Sequence, residues 1–259
     1  ATLYINDSLL HMVRNIGIVK PQVLLMVPLM IETIGKRLGA IKSDLPKPEI
    51  GKQLMGENLE YIFSGGAHLD PAYIHLFEEY GIKVCEGYGM SECSPTISTN
   101  GQTGNRPGSV GRVLANMQIR FVDGEIQVKG SNVMKGYYKM PKETEEAFSD
   151  GWLRTGDLGS MDEDGYLYIT GRLKNLIILS NGENVSPEEV ENTLLTHDLV
   201  GEVVISGEEN GLAARIYPDP DAVEAKGLSP EDVAAQLQKI LDEEAAKEAA
   251  KEAAKEAAE

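Results

Sequence analysis

The residues best suited to chemistry fall in a few short stretches. In Thr155-Gly156-Asp157-Leu158-Gly159 a single carboxylate stands between two glycines. A carboxylate on a tight turn can accept two hydrogen bonds from a vicinal diol such as a ribose, and glycine lets the backbone approach the ligand. In Glu86-Gly87-Tyr88-Gly89-Met90-Ser91-Glu92 an aromatic ring lies between glycines and can stack its face on a base such as adenine. Ser91 offers a hydroxyl to a phosphate oxygen, and Glu92 a hard oxygen ligand to a magnesium ion. Ser64-Gly65-Gly66-Ala67 is a weaker signal, a glycine pair at a strand's carboxyl end, where a flat ring can lie against the backbone. Each has a plainer reading. Turn chemistry alone accounts for the glycines and aspartates around Asp157, SGGA is a common tight turn, Tyr88 fits a core aromatic and Glu92 a solvated turn residue.

The elements that must carry these residues follow from periodicity. Ala1 to Ile5 reads as a strand, and Asp7-Ser8 as the cap of a helix carrying Leu9, Leu10, Met12, Val13 and Ile16. Val23 to Val27 is a continuous apolar run of the kind found in buried parallel strands. A helix from Pro28 through Leu38 follows, then a polar, proline-bearing stretch (40–58) with a short helix. Tyr61 to Ser64 and Ile82 to Cys85 are strands separated by a helix from Asp70-Pro71 to Tyr80, and the second strand ends at Glu86. This alternation of strand and helix predicts a parallel sheet with flanking helices. Residues 100–111, with four glycines, lack a Gly-Lys-Ser/Thr end and form a connection, not a phosphate loop. MQIRFVDG and GEIQVKG alternate like antiparallel strands, and Pro141 to Phe148 forms a short helix. Tyr166 to Ile169 is a strand leading to Gly171-Arg172-Leu173-Lys174, and the run after it leads to a turn at Asn181-Gly182. Ser186-Pro187-Glu188-Glu189 starts a helix with Ser186 as cap, proline first and Glu189 closing a capping box. Strands at Val203 to Ile205 and Leu212 to Tyr217, and a helix from Ser229-Pro230, complete a small α+β lobe. The Glu-Ala-Ala-Lys repeat from Glu244 forms a helix with no apolar stripe, typical of engineered semi-rigid spacers.

Composition narrows the classes. The chain has 259 residues and a net charge of −17, which argues against nucleic acid as a partner. Cys85 and Cys93 make neither a disulfide framework nor a metal site and suit a reducing cytoplasm. The longest apolar run, Val23 to Ile31, is too short to span a bilayer, and no signal peptide opens the chain.

Taken together, TGD, GRLK and NGENVSPEEVE at these separations, with SGGA and GYGMSE, resemble the adenylate-forming superfamily, most closely its fatty acyl-CoA synthetase branch. The resemblance implies an α/β fold: 1–110 as part of the large adenylation lobe, 111–171 as its antiparallel β subdomain, 172–243 as an incomplete small lobe, and 244–259 as the tail. It implies ATP or AMP, Mg2+ and coenzyme A as ligands. Gly65, Gly66 and Ala67, with Gly87 and Tyr88, would frame adenine, and Glu86 would face its amine. Ser91 would touch the α-phosphate, Glu92 would hold magnesium, and Asp157 would take the ribose hydroxyls. Arg172 would act on the ribose or the hinge side, with the hinge at Lys174, and the Asn181-Gly182 turn would line the pantetheine path. The implied reaction joins a carboxylate, of fatty type, to AMP and then to coenzyme A as a thioester.

Two parts needed for that reaction are missing from the sequence. The sequence contains no Ser/Thr/Gly-rich loop ending in Pro-Lys-Gly, and the repeat stands where the resemblance expects a catalytic lysine, a large electrostatic contribution. Three readings follow: part of a ligase within a larger protein or one split so that another chain supplies the N-terminal lobe, an AMP-binding half-site without turnover, or an engineered scaffold with a vestigial site. The expectation is that this chain alone makes no thioester.

Overall fold

The computed structural model describes residues 2–8, 11–101, 104–179, 184–208 and 211–256, with side chains through 247. The chain divides into two units, Ala1–Thr155 with Gly159–Ile169, and Gly156–Leu158 with Thr170–Glu259.

The first unit opens without the expected strand: residues 2–6 form no regular element, and Leu3 and Ile5 are exposed. Of the first helix, α1 (Met12–Val19) buries Ile16, while Leu9 and Leu10, expected on it, lie outside the described residues. Then come β1 (Val23–Met26), α2 (Pro28–Gly39), α3 (Lys47–Met55), β2 (Tyr61–Ser64), α4 (Pro71–Glu79) and β3 (Lys83–Gly89). Proline opens α2 and α4, where its missing N–H costs nothing, and the Asp70 carboxylate caps α4 by accepting from Ala72 N at 2.8 Å. β1, β2 and β3 pair in parallel, with Val23 beside Tyr61 and Ser64 beside Glu86. Alternation puts Leu24, Met26, Ile62 and Val84 on one face, where they join Ile31, Leu38, Ile74 and Phe77 of the helices in one core.

The other face differs from the expectation of a fully buried β1. Leu25 is 77% exposed, because β1 is the edge of the sheet and its odd positions turn away from that core.

β3 outruns its expected end. Its first half is parallel to β2, while Gly87 and Tyr88 pair antiparallel with β4 (Thr96–Thr99), which leads to the short β5 (Arg112–Val113). A second core forms among Ile97, Ile126, Val128, Leu153 and Leu167, built on β6 (Met117–Val122), β7 (Glu125–Gly130), β9 (Trp152–Met161) and β10 (Leu167–Arg172). β6 and β7 form the expected antiparallel hairpin. α5 (Pro141–Ala147) and β8 (Phe148–Ser149) precede β9, and the sheet order is β10-β9-β7-β6 with β8 on β9. Both cysteines are buried and free.

The second unit holds β11 (Ile177–Ile178), β12 (Asn184–Val185), α6 (Pro187–Leu195), β13 (Val200–Glu208), β14 (Gly211–Pro218), α7 (Pro220–Lys226) and α8 (Pro230–Glu256). α7, which periodicity did not indicate, is capped by Asp219 accepting from Ala222 N at 3.0 Å. The capping box expected at Ser186 does not form: Ser186 Oγ donates to Thr170 O at 2.8 Å and to Glu188 Oε2 at 3.1 Å. A reciprocal box forms instead at α8, where Ser229 N donates to Asp232 Oδ2 at 3.1 Å and Asp232 N to Ser229 Oγ at 3.2 Å. The Glu-Ala-Ala-Lys repeat continues α8 as far as Glu256. Its first glutamate, Glu244, is tied to His197 Nε2 at 3.1 Å and to Lys247 Nζ at 2.6 Å. Among the described residues no helix is long and apolar enough to cross a membrane.

Candidate functional site

In the second unit, two residues singled out from sequence come together. Arg172, at the end of β10, donates through Nε to Asp157 Oδ1 at 2.6 Å. The Asp157 side chain is only 9% exposed, while that of Arg172 is 59% exposed. A carboxylate has about four acceptor positions on two oxygens, and a vicinal diol uses two. Beyond it, Lys174 sits exposed in a short 3-10 turn, Leu173–Asn175. The turn is braced by Ser186 on Thr170 O and by Asn175 on the Glu188 carboxylate. Asn181 and Gly182 lie outside the described residues.

The first unit carries the rest. Gly65, Gly66 and Ala67 form a bend directly after β2, and Gly66 has φ +89°, a conformation glycine adopts without strain. A side chain on Gly65 would press on Gly87 O at 2.9 Å, so the bend lies against β3. Tyr88 is half-buried and packs on the second core. Gly89 has a packing reason of its own: a Cβ there would meet Pro95 O at 1.9 Å. Ser91 and Glu92 begin a short 3-10 turn, Ser91–Cys93, with Ser91 exposed. Glu92 Oε1 accepts from the Tyr137 hydroxyl at 2.9 Å.

Among the described residues no cluster of three or more His, Cys, Asp or Glu side chains could hold a metal ion. Glu92 fits magnesium only as a single carboxylate ligand, with phosphate oxygens and waters filling the other positions, as that ion commonly accepts.

Glu86 is 6% exposed. Burial pushes its pKa up to about 7, outweighing the opposite pull of the backbone N–H groups of Gly108 and Leu69, and its Oε2 finds no hydrogen-bond partner among the described residues.

Some structural residues escaped the sequence reading. Buried Asn100 organises the 100–111 loop, accepting from Arg106 N at 3.0 Å and donating to Ser109 O at 2.7 Å. Arg106 then pairs with Asp162 and Asp164 and lies over the Tyr166 ring. Buried Glu125 accepts from Arg154 Nε at 3.2 Å and Gln127 Nε2 at 2.9 Å, and Arg120 stacks on Trp152. Trp152 and Arg154, which open the Asp157 stretch, thus have partners within the antiparallel sheet. No local signal marks these pairs, because the partners are far apart in sequence.

The family described as AMP-binding enzyme matches residues 2–138, more than half of the chain, and its C-terminal domain matches residues 174–255. The chain belongs to the AMP-binding enzymes. Among relatives of this AMP-binding enzyme chain, a long-chain-fatty-acid–CoA ligase, FadD15 of Mycobacterium bovis, is 39% identical over 66% of this chain and 29% of its own length. A 2-succinylbenzoate–CoA ligase of Bacillus velezensis is 39% identical over 69% of this chain and 39% of its own. Among solved structures, the O-succinylbenzoate coenzyme A synthetase of Bacillus subtilis in complex with AMP aligns at a TM-score of 0.68. That match is 28% identical and covers 90% of this chain and 47% of that one. The chain therefore spans less than half the length of these AMP-binding relatives.

Proposed function

We propose that this chain is part of an acyl-CoA ligase, the part that holds the nucleoside and phosphate groups of the adenylate. The whole reaction would join a carboxylate to ATP, releasing pyrophosphate and forming acyl-AMP, and then pass the acyl group to the coenzyme A thiol with release of AMP. In this reading Gly65, Gly66, Ala67, Gly87 and Tyr88 contact adenine, and Ser91 the α-phosphate. Glu92 is a magnesium ligand, and Asp157, oriented by Arg172, receives the ribose hydroxyls. The acid is of fatty type, as in the name of the FadD15 relative, and the cytoplasm is the compartment. The remaining lobe comes from another polypeptide or from a longer form of this chain.

The observation that carries the reading is the buried Asp157 carboxylate held by Arg172, within a chain whose two parts match the two AMP-binding family profiles. A second reading, AMP binding without turnover, is favoured for the chain by itself, because it spans 29% of the FadD15 relative and lacks a Pro-Lys-Gly loop.

Calorimetric titration of AMP with Mg2+ into the chain and into Asp157→Ala tests the proposal. Binding with a Kd of about 1 mM or tighter, on the order of −4 kcal/mol, is expected for the unmodified chain and lost in the variant. Equal heat in both proteins would overturn the role of Asp157. Acyl-CoA formation by the chain alone would overturn the second reading.

A further inference from the structure

The Ser91–Cys93 turn sits in a loop that leaves β3 at Gly89 and enters β4 at Thr96. The neck of this loop closes on itself: Met90 N donates to Pro95 O at 2.8 Å, and Cys93 N to Met90 O at 2.9 Å. Its outer carbonyls are met from a distant part of the chain. Asn132, in the turn after β7, donates through Nδ2 to Cys93 O at 2.8 Å and to Thr96 O at 2.9 Å, across 39 and 36 residues of sequence. Two residues on, Met134 N donates to Glu92 O at 2.7 Å.

A side-chain amide suits this place. Its NH2 end carries two donors on one atom, so a single short side chain can bridge two carbonyl oxygens. Those oxygens can face only the NH2 end, which fixes the orientation of the amide, and Asn116 Nδ2 donates to the remaining Oδ1 at 3.3 Å. Cys93 is fully buried and packs in the second core. Its carbonyl, and that of half-buried Thr96, would lose a donor with Asn132, and a carbonyl left unmet in such surroundings is costly. Ser91 and Glu92, the two residues of this loop with chemistry to offer, are exposed and half-buried, so packing alone does not hold them. Their place depends on the hydrogen bonds that shape the loop beneath them. Glu92 is gripped at both ends, its carbonyl by Met134 N and its carboxylate by the Tyr137 hydroxyl.

We propose that Asn132 is a positioning residue for the phosphate end of the nucleotide site: its amide staples Cys93 O to Thr96 O and thereby sets where Ser91 Oγ and the Glu92 carboxylate stand. Asn132 acts through the loop and does not touch the nucleotide, since both its Nδ2 hydrogens are taken by the two carbonyls. The bearing on nucleotide rests on the reading of Ser91 as the α-phosphate contact and Glu92 as the magnesium ligand. A residue that fixes only this end matters for AMP and not for adenosine, which has no phosphate, whereas a general contribution to folding affects both alike.

Side-chain amide exchange read by NMR tests the staple in the unmodified chain. The Asn132 NH2 hydrogens are expected to exchange at least about tenfold more slowly than those of exposed Gln53. Equal rates there would overturn the proposal even if no variant folds. AMP with Mg2+ is expected to slow Asn132 exchange further, and adenosine to leave it unchanged, because coupling between ligand and staple is reciprocal. The same effect from both ligands would overturn the positioning role. Calorimetry of adenosine, and of AMP with Mg2+, then compares the unmodified chain with Asn132→Ala and Asn132→Leu, the second keeping about the volume of asparagine without its donors. Both variants are expected to bind adenosine within about twofold of the unmodified chain and to lose about tenfold in AMP affinity. Equal loss for adenosine and AMP would make Asn132 a general structural residue, and AMP affinity kept in Asn132→Leu would overturn the donor role. If Asn132 is protected but the unmodified chain shows no preference for AMP over adenosine, the reading of Ser91 and Glu92 falls, and the functional half of the proposal falls with it.

Discussion

Arg172 Nε donates to Asp157 Oδ1 at 2.6 Å, joining an exposed guanidinium to a carboxylate that is almost wholly buried. The asymmetry decides what each variant does. Arg172→Ala is expected to lower stability by about 1–3 kcal/mol, because solvent screens the cation but the buried carboxylate loses a charged partner. The same change is expected to weaken AMP binding about tenfold, since the carboxylate loses the partner that orients it. Arg172→Lys supplies charge without the planar fork and is expected to recover the stability but only part of the affinity. Urea unfolding beside AMP calorimetry separates the two effects; equal AMP affinity in all three proteins would remove Arg172 from the site.

Glu92 gives a metal-dependent test. If it is the magnesium ligand, Mg2+ strengthens AMP binding in the unmodified chain, and Glu92→Gln abolishes that dependence while metal-free binding stays within about twofold. Tyr137→Phe, which removes the hydroxyl now donating to Glu92, is expected to retain it. Calorimetry with and without Mg2+ reads both, and a Mg2+ effect surviving in Glu92→Gln would assign the ion elsewhere.

Glu86 makes stability depend on pH in an unusual direction for a carboxylate. Its folded pKa of about 7 lies above the ordinary 4.5, so the folded chain holds an extra proton between these values. The linked stabilisation is fully present below about pH 4.5 and is lost as pH rises through about 7, by up to about 3 kcal/mol. Denaturant midpoints from pH 5 to pH 8 are expected to fall in the unmodified chain relative to Glu86→Gln. Parallel curves for the two proteins would show that Glu86 does not titrate there.

The serine caps offer a contrast. Ser229→Ala removes the reciprocal box at the start of α8 and is expected to cost about 1 kcal/mol, seen as a lower melting temperature of the helical signal in circular dichroism. Ser186→Ala breaks a link to Thr170 O and leaves the α6 cap unchanged, because no side-chain cap exists there. Its effect is expected in hydrogen exchange around Thr170, with no added fraying at the first turn of α6.

Two leucines separate the faces of the parallel sheet. Leu38→Ala empties a site that is 1% exposed and is expected to cost about 2–5 kcal/mol. Leu25→Ala, at 77% exposure, is expected to change stability by less than about 0.5 kcal/mol. Chemical denaturation of both variants checks the difference, and a large loss at Leu25 would mean that its face is covered in solution.

Local chemistry was legible in the amino-acid sequence alone wherever a short stretch contains its own cause. Pro28 and Pro71 start helices because a first-turn proline lacks only an N–H that would go unused. Alternation in MQIRFV and EIQVKG specified a hairpin, since a one-residue slip would turn Ile126 and Val128 out of the core. The TGD, GRLK and GYGMSE stretches were enough to indicate the AMP-binding family. Long-range pairing was decided only in three dimensions. The apolar run at β1 reads the same whether one face or two are covered, so the exposure of Leu25 depends on its place at the sheet edge. Ser186 had the right neighbours for a capping box, yet Thr170 O, sixteen residues back, took its hydroxyl. Asp157 and Arg172 are fifteen residues apart, and Asn105 and Val84 are farther still. Their meeting depends on strand register and on a loop folded around Asn100, because a hydrogen bond is short and directional and sequence spacing beyond a turn does not determine it.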